Sequence, residues 1–205
     1  MTLPVMAIYG GAFDPPTLAH THVLSELIRL VPLKKILVVP SINHVFKTSS
    51  VSYQTRLDLC RLAFPSSIND VPIEISNIES VVAHAHPEEK ISTRMLYEYC
   101  VTQYATYEVK IIIGVDNADT IDTWSSASWV KQHIPFLVIP RGGYIPKESW
   151  YRLSDKDFFV EAMMPITGSS TAIREAIKNK CEDLVATNVL ADVLCAYKKA
   201  MNSDG

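Results

Sequence analysis

Tyr9-Gly10-Gly11-Ala12-Phe13-Asp14-Pro15-Pro16-Thr17-Leu18-Ala19-His20 is the stretch that decides how the chain is read. The apolar run before it, from Val5 to Tyr9, reads as a buried strand. Two glycines turn the chain, two prolines punctuate it, and an amphipathic helix begins near Leu18. A glycine-bearing strand-to-helix turn offers bare amides and a helix N-terminus to an anion, usually a phosphate. Thr17 stands where an N-cap residue is wanted. His20 falls in the same first turn and can face the same ligand. A hydroxyl and an imidazole beside a phosphate site point to nucleotide chemistry.

Outward from this turn, apolar runs alternate with helical periodicity. Helix 1 is expected from about Leu18 to Leu30, with Val23, Leu24, Leu27, Ile28 and Leu30 on its apolar face, and Pro32 ends it. Lys35 to Val39 reads as a second buried strand, stopped by Pro40. A polar loop carrying Lys47 leads to a helix over about Ser52 to Phe64 that buries Leu57, Cys60 and Leu62 or their neighbours. Val71 to Ile75 is a poorer strand, and its proline suggests a sheet edge. Ser80 to Lys90 reads as a loop, followed by a helix from about Ser92 to Tyr104. Val109 to Ile113 is the clearest central strand, and Gly114-Val115-Asp116 turns out of it into short helices. Phe136 to Ile139 is a strand ended by Pro140-Arg141-Gly142-Gly143. A lid-like loop, about Tyr144 to Asp157, precedes a sixth strand over Phe158 to Met163. Gly168-Ser169-Ser170-Thr171 opens a helix over about Ala172 to Lys180, and a last amphipathic helix spans about Thr187 to Met201.

Near-continuous apolar strands alternating with helices predict an α/β fold with a doubly wound parallel sheet. Ligands of such sheets bind at the carboxyl ends of the strands, where the glycine-bearing turns after strands 1, 4 and 5 and the Ser-Ser-Thr turn lie. With 205 residues, 48% hydrophobic and 20% charged, one domain over 1–205 is the simplest organisation, its C-terminal helical segment from about 168 included. A net charge of −3 argues against a nucleic-acid-binding face. No stretch approaches the roughly 20 apolar residues that span a bilayer, and the first apolar run is too short for a signal peptide. The expectation is therefore a cytoplasmic protein without membrane or nucleic-acid partners, its oligomeric state open and a homo-oligomer included. Cys60, Cys100, Cys181 and Cys195 form no C-x-x-C pair. Cys60, Cys100 and Cys195 lie in apolar helical stretches and are expected to pack in the core.

Gly168-Ser169-Ser170-Thr171-Ala172-Ile173-Arg174 is the second informative stretch. Serine and threonine before an apolar-periodic run mark a helix start. Arg174 then sits in the first turn, where the helix dipole disfavours a cation. A bound polyphosphate reverses that penalty, since guanidinium and amides grip its oxygens together. The alternative is a surface arginine paired with a carboxylate. His84-Ala85-His86 and Glu88-Glu89 are too few ligands, in a loop, to be read as a metal site.

The first stretch resembles the G-G-x-F-D-P-x-(H/T)-x-G-H signature of nucleotidyltransferases. These include the nicotinate- and nicotinamide-mononucleotide adenylyltransferases and pantetheine-phosphate adenylyltransferase. Thr17 fills the His/Thr slot, and Ala19 replaces the usual glycine. Residues 168–174 are similar to the family's I-S-S-T-x-I-R segment, with Gly168 in place of isoleucine. Gly114-Val115-Asp116 with Trp124 is similar to its G-x-D-x(7)-W segment. The resemblance implies a Rossmann-like nucleotidyltransferase fold with strand order 3-2-1-4-5-6. It implies transfer of AMP from ATP to nicotinate or nicotinamide mononucleotide, giving the dinucleotide and pyrophosphate in NAD biosynthesis.

The resemblance also implies roles. ATP would meet Gly10, Gly11, Ala12, Phe13, His20, Gly114, Asp116, Ser169, Ser170, Thr171 and Arg174. Thr17, His20, Lys47 and Arg174 would act on its phosphates, with Arg56 able to reach the same area. Ser92, Trp124 and Arg141 would meet the pyridine mononucleotide, while Trp129 carries no motif and reads as packing. Magnesium would arrive on the triphosphate, with no dedicated protein metal site. Two other readings stay open: a phosphopantetheine acceptor, and a nucleotide-binding protein without catalysis, motivated by Ala19.

Overall fold

A computed structural model describes residues 2–42, 49–145, 147, 151, 155–160, 163, 170–179 and 188–203. Lys47, Gly168, Ser169, Cys181 and half of the expected lid lie outside the described residues. Seven strands form a sheet in the order β3-β4-β2-β1-β5-β6-β7. They are β1 (Val5–Gly11), β2 (Leu33–Pro40), β3 (Ser67–Ile68), β4 (Val71–Ile75), β5 (Glu108–Gly114), β6 (Phe136–Ile139) and β7 (Phe158–Phe159). All pairs are parallel except β3 with β4. Without the two-residue β3, the parallel strands taken in chain order run 3-2-1-4-5-6, as the resemblance implies. Chain order reverses between β1 and β5, so their carboxyl ends border the crevice that such sheets use for ligands.

Successive strand residues serve opposite faces, because side chains alternate across a pleated sheet. Ala7, Tyr9, Ile36 and Val38 join one apolar layer under α1 (Leu18–Leu30), α2 (Tyr53–Ala63), α7 (Ser170–Lys178) and the last helix, α8 (Ala191–Ser203). Met6, Ile8, Leu37 and Val39 join the other, under α3 (Ile78–Ala85), α4 (Thr93–Gln103), the short α5 (Val115–Ala118) and α6 (Ala127–His133). The sheet is therefore doubly wound. Among the described residues, no helix is long and apolar enough to cross a membrane.

Several expectations are corrected. Ser80 to Lys90 is not all loop, because α3 covers its first half. Ile78, Val81, Val82 and Ala85 carry the i, i+3, i+4, i+7 spacing of a helix face, and the helix forms because Ile78 and Val82 are buried against the second layer. Val71–Ile75 is not the sheet edge: Ser67–Ile68 pairs beyond it, with Ser67 opposite Pro72. On α2 the buried apolar residues are Leu57, Leu59, Cys60 and Ala63, whereas Leu62 is 52% exposed, since it falls on the outer side of the turn. Cys195 is exposed on α8, outside the core. Cys60 and Cys100 are buried as expected, and burial pushes both thiols up to about 12. The sixth expected strand shortens to Phe158–Phe159.

Candidate active site

The turn after β1 is held from beneath. Phe13 adopts φ 48°, a conformation costly for a side-chain-bearing residue, and its ring tucks under the glycines. It packs edge-on against Tyr9, His20 and Phe64 at centroid distances of 5.5, 5.1 and 5.7 Å. A Cβ on Gly11 would meet that ring at 3.1 Å, whereas one on Gly10 would meet nothing within 4 Å. Gly11 is therefore fixed by packing, and the Gly10 backbone faces open space that a ligand can approach.

Thr17 is buried and caps α1 reciprocally with His20. The Thr17 amide donates to His20 Nδ1 at 2.9 Å, and the Thr17 hydroxyl lies 2.8 Å from the same nitrogen. An Nδ1 that accepts an amide proton is unprotonated, so the neutral ring carries its proton on Nε2. Burial, and then the nearby Arg141 guanidinium, lower the His20 pKa from 6.5 to about 4. At neutral pH the ring is an uncharged donor through Nε2–H. Ala19 lies half-buried in the same helical turn.

The second stretch reaches the first within the helix layer on one face of the sheet. Arg174 Nη1 donates to the Asp14 carbonyl at 2.6 Å, and Nη2 donates to Thr171 Oγ1 at 3.0 Å. Ser170 Oγ donates to the Pro15 carbonyl at 2.8 Å. Two stretches about 155–160 residues apart in sequence thus share one site. The surface-pair alternative for Arg174 does not describe it, since its nearest carboxylate contact is Asp14 Oδ2, buried and at 3.8 Å.

After β5, Asp116 Oδ2 accepts from Arg141 Nη1 at 2.6 Å. Asp116 Oδ1 is buried without a hydrogen-bond partner among the described residues. A Cβ on Gly114 would fall 2.5 Å from that oxygen, so the glycine makes room for the carboxylate. Ser92 is the N-cap of α4, its Oγ accepting from the Met95 amide at 3.3 Å. Trp124 follows the 3₁₀ turn Ile121–Thr123, half-buried against the second layer. Trp129 packs as expected: it stacks on His133 at 4.5 Å and lies under the Arg94 guanidinium.

Arg56 does not turn outward. It is 1% exposed, and Nη1 donates to the Ala12 and Ser41 carbonyls at 2.8 and 2.6 Å while Nη2 reaches the Ile42 carbonyl at 3.2 Å. Its charge holds the turns after β1 and β2 together. Three residues to which the sequence assigned nothing also act here. Glu79, in the first turn of α3, accepts from the Ile42 amide at 2.6 Å, and burial raises its pKa to about 7. Asp14 is buried, with Oδ1 accepting from Tyr197 Oη at 2.9 Å and Oδ2 from the Ser50 amide at 2.7 Å. Tyr197 had one sequence signal, its i+4 spacing from the apolar Val193.

A family model described as cytidylyltransferase-like matches residues 8–176. The chain belongs to the cytidylyltransferase-like family. Among its curated relatives in this family, the probable nicotinate-nucleotide adenylyltransferase of Sulfurovum sp. (strain NBC37-1) is 30% identical over 178 residues, 84% of each chain. That of Aliarcobacter butzleri (strain RM4018) is 27% identical over 177 residues, 85% of this chain and 88% of the relative. The Plasmodium falciparum nicotinic acid mononucleotide adenylyltransferase complexed with NaAD shares the fold. Its TM-score is 0.79 at 21% identity, covering 96% of this chain and 95% of that one.

Proposed function

We infer that the protein transfers AMP from ATP to nicotinate mononucleotide, an adenylyltransferase step of NAD biosynthesis. A 5′-phosphate oxygen of the mononucleotide attacks the α-phosphorus in line, the bond to the β-phosphate bridging oxygen breaks, and pyrophosphate leaves. Such a reaction asks the protein to position and to stabilise charge, not to form a covalent intermediate. The observation that carries the reading is the Arg174 contact with the Asp14 carbonyl, which closes the Ser-Thr-Arg helix start onto the glycine turn. The names of the relatives supply the acceptor.

In this reading Gly10, Gly11, Ala12 and Phe13 form the floor of the ATP phosphate site. His20 Nε2–H donates to a phosphate oxygen whose charge grows in the transition state. Arg174 and Thr171 grip the phosphates from α7, and Lys47, Ser169 and Ser170 belong to the same side by the family's pattern. Gly114 and Asp116 border the adenosine. Arg141, Ser92 and Trp124 take the mononucleotide, with the indole face against the pyridine ring. Ser170 spends its hydroxyl on Pro15, so it serves the cradle through the helix start. Magnesium fits as an ion carried on ATP, because the Asp14 carboxylate already accepts from Tyr197 and Ser50. When bound, it would neutralise charge on the departing pyrophosphate. We place the reaction in the cytoplasm and assign it to residues 1–205 as one domain, since both apolar layers share one sheet.

The test is product formation from ATP and magnesium with nicotinate mononucleotide, nicotinamide mononucleotide or phosphopantetheine. The expected product is the dinucleotide with pyrophosphate, fastest from the nicotinate acceptor. Turnover of phosphopantetheine alone overturns the NAD assignment. ATP binding without turnover of any acceptor leaves the non-catalytic reading, with Ala19→Gly as the reversion to make.

A further inference from the structure

Asp14 lies inside the glycine turn, yet each of its carboxylate oxygens already accepts a bond from the protein. Oδ1 accepts from Tyr197 Oη at 2.9 Å and Oδ2 from the Ser50 amide at 2.7 Å. The carboxylate is therefore a joint between segments. The segments it joins are distant in sequence: the residues leading into α2, the start of α7 through Arg174, and α8. Tyr197 is fully buried in the layer under α8, so its hydroxyl needs partners there: it donates to Asp14 and is also hydrogen-bonded by the Ser50 side chain.

The charges at this joint compete. The Arg174 guanidinium stands 3.8 Å from Asp14 Oδ2, while its nearer bonds go to the Asp14 carbonyl and Thr171. A buried carboxylate that loses a donor turns to the nearest remaining cation, because an undersolvated charge in a low-dielectric site is costly. Among the described residues that cation is Arg174, already at 3.8 Å. While Tyr197 donates to Asp14, part of the carboxylate's demand is met from α8, and Arg174 stays available to an incoming anion.

We propose that Tyr197 is a positioning residue for the ATP-phosphate side of the site: by donating to Asp14 it keeps the long Arg174–Asp14 ion pair, 3.8 Å, from tightening and drawing the guanidinium off the phosphate side. This rests on the adenylyl-transfer reading for its effect on turnover, and on geometry alone for its effect on ATP binding. Ser92 and Trp124 make no bond to Asp14, so the mononucleotide side is not affected by this device.

Tyr197→Phe keeps the ring and removes the donor. The measurements are calorimetric Kd for ATP, KM for each substrate and kcat, and the melting temperature, on the full chain. The ATP Kd and KM are expected to rise about five- to tenfold, as for the loss of a contact to a charged group. The mononucleotide KM should stay within about twofold. Adding Asp14→Asn removes the capturing charge, so the double variant should regain ATP affinity relative to Tyr197→Phe. A structural role predicts the opposite, since the second change removes further native bonds. Unchanged ATP affinity in Tyr197→Phe overturns the proposal, as does an equal rise in both KM values or a double variant weaker than the single. A wild type that binds ATP but does not adenylate the mononucleotide defeats the functional reading. The ATP-affinity comparison then still decides the role of Tyr197. No ATP binding by the wild type defeats both.

Discussion

His20→Asn separates what the imidazole does for the fold from what it does for the reaction. Asparagine keeps a side-chain acceptor for the Thr17 amide, which donates to Nδ1 at 2.9 Å in the native protein, but it does not titrate. The unfolded chain takes up a proton at His20 below about pH 6.5. The folded protein resists until about pH 4, because the ring is buried and Arg141 is close. Between those values the unfolded state binds more protons, so native stability falls as pH falls. Two and a half pKa units correspond to about 3 kcal/mol, a loss that begins below about pH 6.5 and levels off below about pH 4. Urea unfolding of both proteins at about pH 7, 6, 5 and 4 measures it. The wild type should lose about 3 kcal/mol more than the variant over that range. Turnover at neutral pH should fall about 10²–10³-fold, the usual cost of removing one preorganised donor from a developing negative charge. Parallel stability curves would refute the neutral, Nε2-protonated ring. Unchanged turnover would refute its contact with phosphate.

Gly114→Ala places a Cβ 2.5 Å from Asp116 Oδ1, so the carboxylate must swing and release Arg141. A stability loss of about 1–3 kcal/mol is expected, and Asp116→Ala in the same chain should recover most of it in thermal unfolding. Arg174→Lys keeps the charge but loses the fork that serves the Asp14 carbonyl and Thr171 together. Its kcat/KM for ATP should fall about tenfold or more, and a wild-type value would remove Arg174 from the phosphate site. Glu79 is raised to about 7 by burial, so its carboxylate form costs stability as pH rises through 7. Glu79→Gln should therefore be more stable relative to wild type at about pH 8 than at about pH 5, by about 2 kcal/mol; a pH-independent difference would contradict the shift.

The fold was legible because the strands under both helix layers are nearly continuous apolar runs, and Leu18–Leu30 is bounded by its own cap and proline. α3 was not, since Ile78, Val81, Val82 and Ala85 make only one short apolar stripe of about two turns and the following histidines and glutamates resemble a loop. Leu62 misled for a related reason: three leucines on α2 cannot all face inward, and the buried set goes to Leu57 and Leu59. At the site, Thr17, His20 and Arg174 stood out because each sits where helix-end chemistry favours or penalises it. Arg56 was half seen; nothing local says that its charge would be buried on three carbonyls of two turns. Asp14 and Tyr197 were invisible as a pair because 183 residues separate them.

That separation has a consequence for synthesis. The hydroxyl that serves Asp14 leaves the ribosome 183 residues after the glycine turn. At about 5–20 residues per second, the delay is roughly 10–40 s. Throughout that interval Asp14 lacks the donor from the last helix. Arg174 is also still missing for most of it. Until α8 docks, Asp14 keeps the water shell of an exposed carboxylate, and the glycine turn is not yet joined to the helices that carry Arg174 and Tyr197.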